Sequence, residues 1–262
     1  MKILFWVPYP TEGASNRYRV EQYLYFFGQA GIGYSLSPFW GSSAFKLLYK
    51  DGHYFKKVYF FVLGTIGRLF DLLTLFRYDI VFIHRQAYPI GPTFLESVVW
   101  LFKKPIIFDF DDAIFLPSTS RPNSFAERFK NPAQVAKVIR MSSFVIAGNK
   151  YLADFASKFN QRVCVIPTPV DTDKYHPAGK RGDEKIIIGW IGSATTVDFL
   201  KEIESTIIEL TRRFENIEFR VIGSSFSVAG LSNIISKPWS LSEELEDLKS
   251  FDIGIMPMPD DA

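Results

Sequence analysis

Three aspartates close one short apolar run of this chain: Asp109, Asp111 and Asp112 end the sequence IIFDFDD. Alternation along an extended strand sends Asp109 and Asp111 to the same side. Carboxylates this close repel each other, which raises a pKa unless a cation or a hydrogen-bond donor intervenes. Such groups can orient a hydroxyl or handle its proton. A helix cap or a hinge is the plainer role for any one of the three. His84 and Arg85 end a second apolar run, IVFIHR, where a structural histidine is the competing reading. The segment GASNRYR supplies Gly13, Asn16, Arg17 and Arg19. A small-residue loop that opens a helix there favours an anion, although an ordinary solvated turn fits the same residues. Asn149 follows the run FVIAG and opens another helical stretch. Gly192, Ser193 and Thr195 follow IIIGWI, where amides at a helix start suit a phosphate, with Lys201 further along.

These residues need elements that bring them together. Short apolar runs of strand length recur at 3–7, 34–38, 80–84, 106–110, 144–147 and 163–167, and again at 186–191, 218–222, 234–236 and 253–256. Helical patterns separate them at 19–30, 53–76, 92–102, 133–141, 150–158, 197–214 and 242–249. Continuously apolar strands alternating with helices predict parallel sheets covered on both faces. The polar stretch VDTDKYHPAGKRGDE splits the series in two. The expected organisation is a first domain over 1–169, a linker over 170–184 and a second domain over 185–262. The fold class is α/β, two tandem doubly wound parallel sheets facing a cleft, the second incomplete. Ligands of such sheets sit beyond the carboxyl ends of the strands, which is where the residues above lie.

Composition narrows the classes. The 262 residues are 47% hydrophobic and 22% charged, which excludes a disordered chain. A net charge of +2 gives nucleic-acid binding no support. The single Cys164 excludes an internal disulfide and fits a reducing, cytoplasmic compartment. The start MKILFWVPYP is too short in apolar length for a signal peptide, and no window approaches a membrane span. His53, His84 and His176 are scattered without ligand spacing, so no metal site is expected. Aromatic residues reach 16%, many of them within 49–76. In the 53–76 helix Lys56, Lys57 and Arg68 stand among Tyr54, Phe55, Tyr59, Phe60, Phe61, Leu69 and Phe70. That pattern suits either a core helix with an aromatic face or peripheral contact with an anionic bilayer. The second option places the protein at the inner face of a membrane.

The ordered set GASNRYRVEQY, HRQAYP, DFDDAIF, AGNKYLADF, VIPTPVDTDKYHP and GWIGSATT resembles the glycosyltransferases of B-type, two-Rossmann architecture (GT-B), in particular the large retaining family 4 group. FDIGIMPMPDD resembles that group's strand before its donor-site segment. The resemblance runs along nearly the whole chain. It implies an amino-terminal acceptor domain and a carboxyl-terminal domain that binds a nucleotide sugar as co-substrate, with no cofactor and no metal. The acceptor is then a glycan or a lipid-linked glycan, as in cell-surface polysaccharide or glycolipid synthesis. On this basis Asp111, His84 and Asp109 are the expected catalytic residues. Gly13, Asn16, Arg17, Arg19, Arg85, Asp112 and Asn149 are expected at the acceptor, and Gly192, Ser193, Thr195 and Lys201 at the donor.

The chain also departs from the group. It has no pair of glutamates separated by seven residues, and Ser193, Ala194, Thr195 and Thr196 stand where an Arg and a Lys usually face the diphosphate. A sheet with an interior strand at 253–256 needs further elements to cover it, so a donor domain lacking its last part is expected. Two other readings stay open. Asp109 and Asp111 resemble the first motif of the haloacid-dehalogenase phosphatases, which use Mg²⁺, although Ala113 stands where that motif has Thr. A non-catalytic module that binds a nucleotide sugar without turnover is the third.

Overall fold

The computed structural model describes residues 1–48, 50, 52–89, 92–116, 132–177 and 185–258. The chain divides into two compact units, Met1–Val170 and Asp171–Ala262. The division falls at the start of the polar stretch, of which 178–184 lies outside the described residues.

The first unit is a six-stranded, all-parallel sheet of order β2-β1-β3-β4-β5-β6. Its strands are β1 (Lys2–Val7), β2 (Gly33–Pro38), β3 (Ile80–His84), β4 (Ile106–Phe110), β5 (Phe144–Ala147) and β6 (Val163–Val165). β1 reads KILFWV and is buried on both faces, as a central parallel strand must be. Leu4 and Trp6 join Val81, Ile83, Ile106, Phe108 and Phe110 in the larger core, while Ile3, Phe5 and Val7 face the other way onto Val20. Burial of each such side chain is worth about 1.5–3 kcal/mol. β2 ends in Pro38 at the sheet edge, where a missing N–H breaks no ladder.

The crossovers are helical. The segment after β1 is α1 (Ala14–Asn16), a π-helical turn (Arg17–Glu21) and α2 (Gln22–Gln29). Then come α3 (Ser42–Leu48), α4 (Tyr54–Leu73) with a 3₁₀ turn at Leu75–Arg77, α5 (Phe94–Leu101), α6 (Pro132–Met141) and α7 (Lys150–Ala156). The sequence pattern misses α3, which is too short for its periodicity to stand out. It also starts the first helix five residues late, because the π turn breaks the 3.6-residue repeat.

The second unit is a four-stranded parallel sheet of order β10-β7-β8-β9. Its strands are β7 (Ile186–Ile191), β8 (Ile217–Ile222), β9 (Ile234–Lys237) and β10 (Ile253–Gly254). Between β7 and β8 the chain makes a 3₁₀ helix (Val197–Ile203) before α8 (Glu204–Arg213), and α9 (Glu244–Lys249) precedes β10. Val197, Leu200 and Ile203 recur every third residue and all pack on this unit's core, the spacing at which side chains eclipse in a 3₁₀ helix. Of the strand expected at 253–256, β10 takes the first two residues, and it lies at the sheet edge among the described residues.

Candidate functional site

The carboxyl ends of β3 and β4 bring together a connected set of polar groups. Parallel register sets His84 beside Asp109. Both point to the sheet face opposite Phe108 and Phe110, toward the π-helical segment, and both are buried. His84 Nδ1 lies 2.7 Å from Asp109 Oδ2, and Arg19 donates from Nε to the same oxygen at 3.2 Å. Arg19 also pairs with Asp109 Oδ1, and its third nitrogen donates to Ile166 O at 2.5 Å. Burial works against the Arg19 charge, but the hydrogen bond and charge of Asp109 outweigh it and raise its pKa.

On the other side of the ring, His84 Nε2 lies 2.7 Å from Ser15 Oγ, which donates to Asp111 Oδ2 at 3.0 Å. Arg85 donates from Nε to Asp111 Oδ1 at 2.9 Å and pairs with Asp112. Arg85 adopts φ +62, a left-handed conformation that costs a non-glycine residue about 1–2 kcal/mol. It sits at the strand end, where that turn directs its guanidinium at the two aspartates. Burial opposes ionisation of Asp111, yet Arg85, His84 and the Ser15 hydroxyl together hold its pKa below the ordinary aspartate value. The result is one continuous row: Arg19, Asp109, His84, Ser15, Asp111, Arg85, Asp112. Ser15 has one hydroxyl proton for two neighbours. It donates to Asp111 when His84 Nε2 carries a proton, and to Nε2 otherwise.

This geometry redistributes the expected roles. Asp109 is buried, with both oxygens engaged by His84 and Arg19. Among the described residues no group of His, Cys, Asp and Glu could hold a metal ion. His84 is buried behind Ser15 and reaches a ligand only through that hydroxyl. Arg17 and Arg19, expected at a ligand, are internal instead. Arg17 donates to the carbonyls of Thr11 and Glu12, and Arg19 is consumed by Asp109, because a buried carboxylate requires a partner. Asn149 caps α7 through its side-chain oxygen, which accepts from Leu152 N at 2.9 Å. Gly13 N–H donates to Pro10 O at 2.8 Å and shapes the loop ahead of α1.

Asn16 is fully buried; its Nδ2 donates to Glu21, and its Oδ1 has no partner among the described residues. The half-buried Asp111 and the exposed Asp112 are the carboxylates of this row open to a ligand.

Two contributors went unread in the sequence. Ser15 gives no signal beyond its place in GASN. Gly148 does: a Cβ there would lie 2.9 Å from Asp111 Cα, so only glycine lets β5 approach the Asp111 turn. Below the row, Arg68 of α4 is buried and donates to Val7 O, Ser37 O and Ala87 O at 2.9–3.0 Å. It ties the ends of β1 and β2 to the turn after β3. Burial lowers its pKa to about 10, so it stays charged at neutral pH. This corrects the expectation that Arg68 belongs to a basic outer face.

The second unit has its own strand-end loop. Gly192 follows β7, and a Cβ on it would lie 2.3 Å from the Trp190 ring. Ser193 Oγ and Thr195 Oγ1 are 2.7 Å apart, and Ser193 N–H donates to Thr196 Oγ1. Lys201 lies on the 3₁₀ helix, exposed and paired with Asp198 at 2.6 Å. At the end of β9, Lys237 is paired with Asp247 at 2.7 Å; the hydrogen bonds it donates to Asp247 and Glu243 raise its pKa. Trp239 Nε1 donates to the buried Glu244 at 2.8 Å.

No protein-family model matches the chain, and no curated protein matches it. Solved structures do. The UDP-GlcNAc 2-epimerase from Neisseria meningitidis bound to UDP-GlcNAc aligns over 97% of this chain and 77% of its own, with TM-score 0.56 and 13% identity. An alpha-glucosyltransferase in complex with UDP and a mismatched 13-mer DNA aligns over 97% and 71%, with TM-score 0.56 and 14% identity. The S. aureus MnaA–UDP structure aligns over 95% and 71%, with TM-score 0.52 and 14% identity. This chain has the GT-B fold. The six-strand and four-strand parallel sheets are its two Rossmann-like parts.

Proposed function

We propose that this protein transfers a sugar from a nucleoside-diphosphate sugar to a hydroxyl of a glycan or lipid-linked acceptor, with retention at the anomeric carbon. The observation that carries the reading is Asp111, an ionised carboxylate fixed by Arg85 and Ser15 at the strand ends of a GT-B first unit. Asp111 accepts a hydrogen bond from the acceptor hydroxyl and orients its oxygen. Ser15 relays the acceptor proton to His84 Nε2, where it stays as the imidazolium that Asp109, held by Arg19, stabilises. In the second unit the Ser193 and Thr195 hydroxyls and the amides of their loop serve the diphosphate, with Lys237 at the end of β9, two strands away in the same sheet. A departing diphosphate is stabilised chiefly by such fixed donors. The UDP and UDP-sugar held by the structural neighbours support a nucleotide-sugar donor.

The lipid-linked acceptor is favoured by α4. Phe55, Tyr59, Val62, Ile66, Phe70 and Leu73 form a continuous exposed stripe at helical spacing, and among the described residues no helix is long and apolar enough to cross a membrane. Such a stripe, with Lys56 beside it, suits contact along a bilayer surface.

The deciding experiment incubates the protein with a panel of nucleoside-diphosphate sugars, with and without lipid-linked glycan acceptors. Acceptor-dependent release of nucleoside diphosphate, lost in Asp111→Asn while nucleotide binding persists, supports the reading. Conversion of the donor to its epimer without an acceptor replaces it with an epimerase reading. Binding without turnover under every condition replaces it with that of a binding module.

A further inference from the structure

A second concave site lies at the opposite edge of the first sheet, where β4 and β5 begin. It is a cavity of about 540 Å³ lined by Trp100 and Leu101 from the end of α5, Lys103 and Lys104 after it, and Arg140 and Ser143 around the end of α6. Three of its lining residues are cations, and none carries a carboxylate. Two helix C-termini converge there, each worth about half a negative charge, so roughly two positive charges remain uncompensated. Lys104 Nζ donates to Tyr78 O at 2.6 Å and Arg140 lies 4.6 Å over the Phe159 ring, so two of the three cations are held in position.

Lys103 carries a further mark. Its φ is +54, and its N–H closes the end of α5 on Trp100 O at 2.9 Å. That is the helix-terminating position at which glycine is favoured and any other residue pays for left-handed backbone. Lys103 thus adds a cation to the cavity wall at a position with a backbone cost.

The rim is apolar. Trp100, Leu101 and Phe102 are each more than half exposed, as are Leu73 and Phe76 at the end of the α4 segment that leads to Tyr78. A soluble anion needs no such rim, whereas a lipid needs both parts: phosphate among cations and chains beside apolar side chains. We infer that this cavity takes the phosphate head group of an anionic phospholipid, with Trp100, Leu101 and Phe102 seated at the bilayer interface. Together with Lys56 near the start of α4, about 26 Å along the helix from Leu73, it fixes the α4 face against the membrane at two points. The inference rests on the reading that the α4 face meets a membrane.

The test uses the full chain and phosphatidylcholine vesicles with and without phosphatidylglycerol. The variant is Lys103→Gly with Arg140→Gln, in which the glycine relieves backbone strain, so the fold is kept and thermal stability is an internal control. The expected result is binding that depends on phosphatidylglycerol and falls about thirtyfold in the variant, near fivefold for each cation removed, with Trp100 fluorescence shifted to the blue only in the wild type. Unchanged vesicle binding by the variant, with loss in Phe55→Ser/Phe70→Ser, overturns the cavity proposal and leaves the membrane reading standing. Failure of the wild type to bind either vesicle overturns the membrane reading as well. Stabilisation by glycerol phosphate without vesicle binding assigns the cavity to a soluble phosphate and overturns the proposal.

Discussion

His84 and Asp109 sit side by side in register on adjacent parallel strands, and Arg19 closes the carboxylate from the far side. The charge of Asp109 therefore serves two cationic or hydrogen-donating partners at once, in a place water does not reach. A carboxylate so enclosed holds the geometry of the exposed groups without itself meeting a ligand.

Replacing Asp109 by Asn leaves the Arg19 guanidinium buried without its counter-charge. The expected cost is about 3–5 kcal/mol, the usual penalty for breaking a buried pair from one side. Arg19→Met in the same chain removes the stranded charge, so the double variant is expected to be more stable than the sum of the two singles predicts. Urea unfolding of the four proteins measures this. Additive losses would show that Arg19 and Asp109 do not act as a pair.

Asp111 behaves differently because it is half-buried and its pKa is depressed. A depressed acid is ionised in the fold more readily than in the unfolded chain, whose aspartates titrate near about 3.9. Its contribution to stability is therefore present above that value and is lost as pH falls through the lower folded value. Asp111→Asn is expected to flatten the acid limb of the stability curve below about pH 4. Its acceptor-dependent turnover is expected to fall by about 10²–10⁴. Thermal melts against pH and a transfer assay check the two effects separately. An unchanged acid limb would remove Asp111 from the ionised network.

Most of this fold is legible in the sequence for one physical reason. Fully buried parallel strands are short and continuously apolar, so IVFIH and IIFDF announce themselves, and both match their observed bounds. The cluster of polar residues at strand ends is legible for the same reason, since any polar group that closes an apolar run lies at a sheet edge. What cannot be read is which polar groups face one another. Arg19 and Ser15 come from a π-helical turn and the residues ahead of it, and no local pattern marks that insertion. A sequence also gives Arg17, Arg19 and Arg68 the same charge as any surface arginine. Their burial depends on carbonyls and carboxylates distant in the chain, as with Arg68 and Val7.

Arg68 lends itself to a direct test. Its guanidinium satisfies carbonyls at the ends of β1 and β2 and one in the turn after β3, and lies 3.4 Å from Asp71. Arg68→Met leaves these acceptors buried and Asp71 without its cation, at an expected cost of about 3–5 kcal/mol. Arg68→Lys keeps the charge but cannot reach three directions from one nitrogen, so it is expected to recover less than half of the loss. Full recovery in Arg68→Lys would mean that charge alone matters.

Gly148 and Gly28 separate a steric requirement of the site from a general effect of glycine. A Cβ on Gly148 would meet Asp111 backbone at 2.9 Å, whereas one on Gly28, in α2, meets nothing within 4 Å. Gly148→Ala must push the Asp111 turn outward, with an expected cost of about 1–3 kcal/mol and a displaced carboxylate. Gly28→Ala is expected to stabilise by about 0.5–1 kcal/mol through helix propensity alone. In the transfer assay Gly148→Ala should lose turnover and Gly28→Ala should keep it. The pair also distinguishes displacement from unfolding, because turnover in Gly148→Ala is compared well below its own melting temperature. Wild-type turnover in Gly148→Ala would show that the position of Asp111 does not limit the reaction.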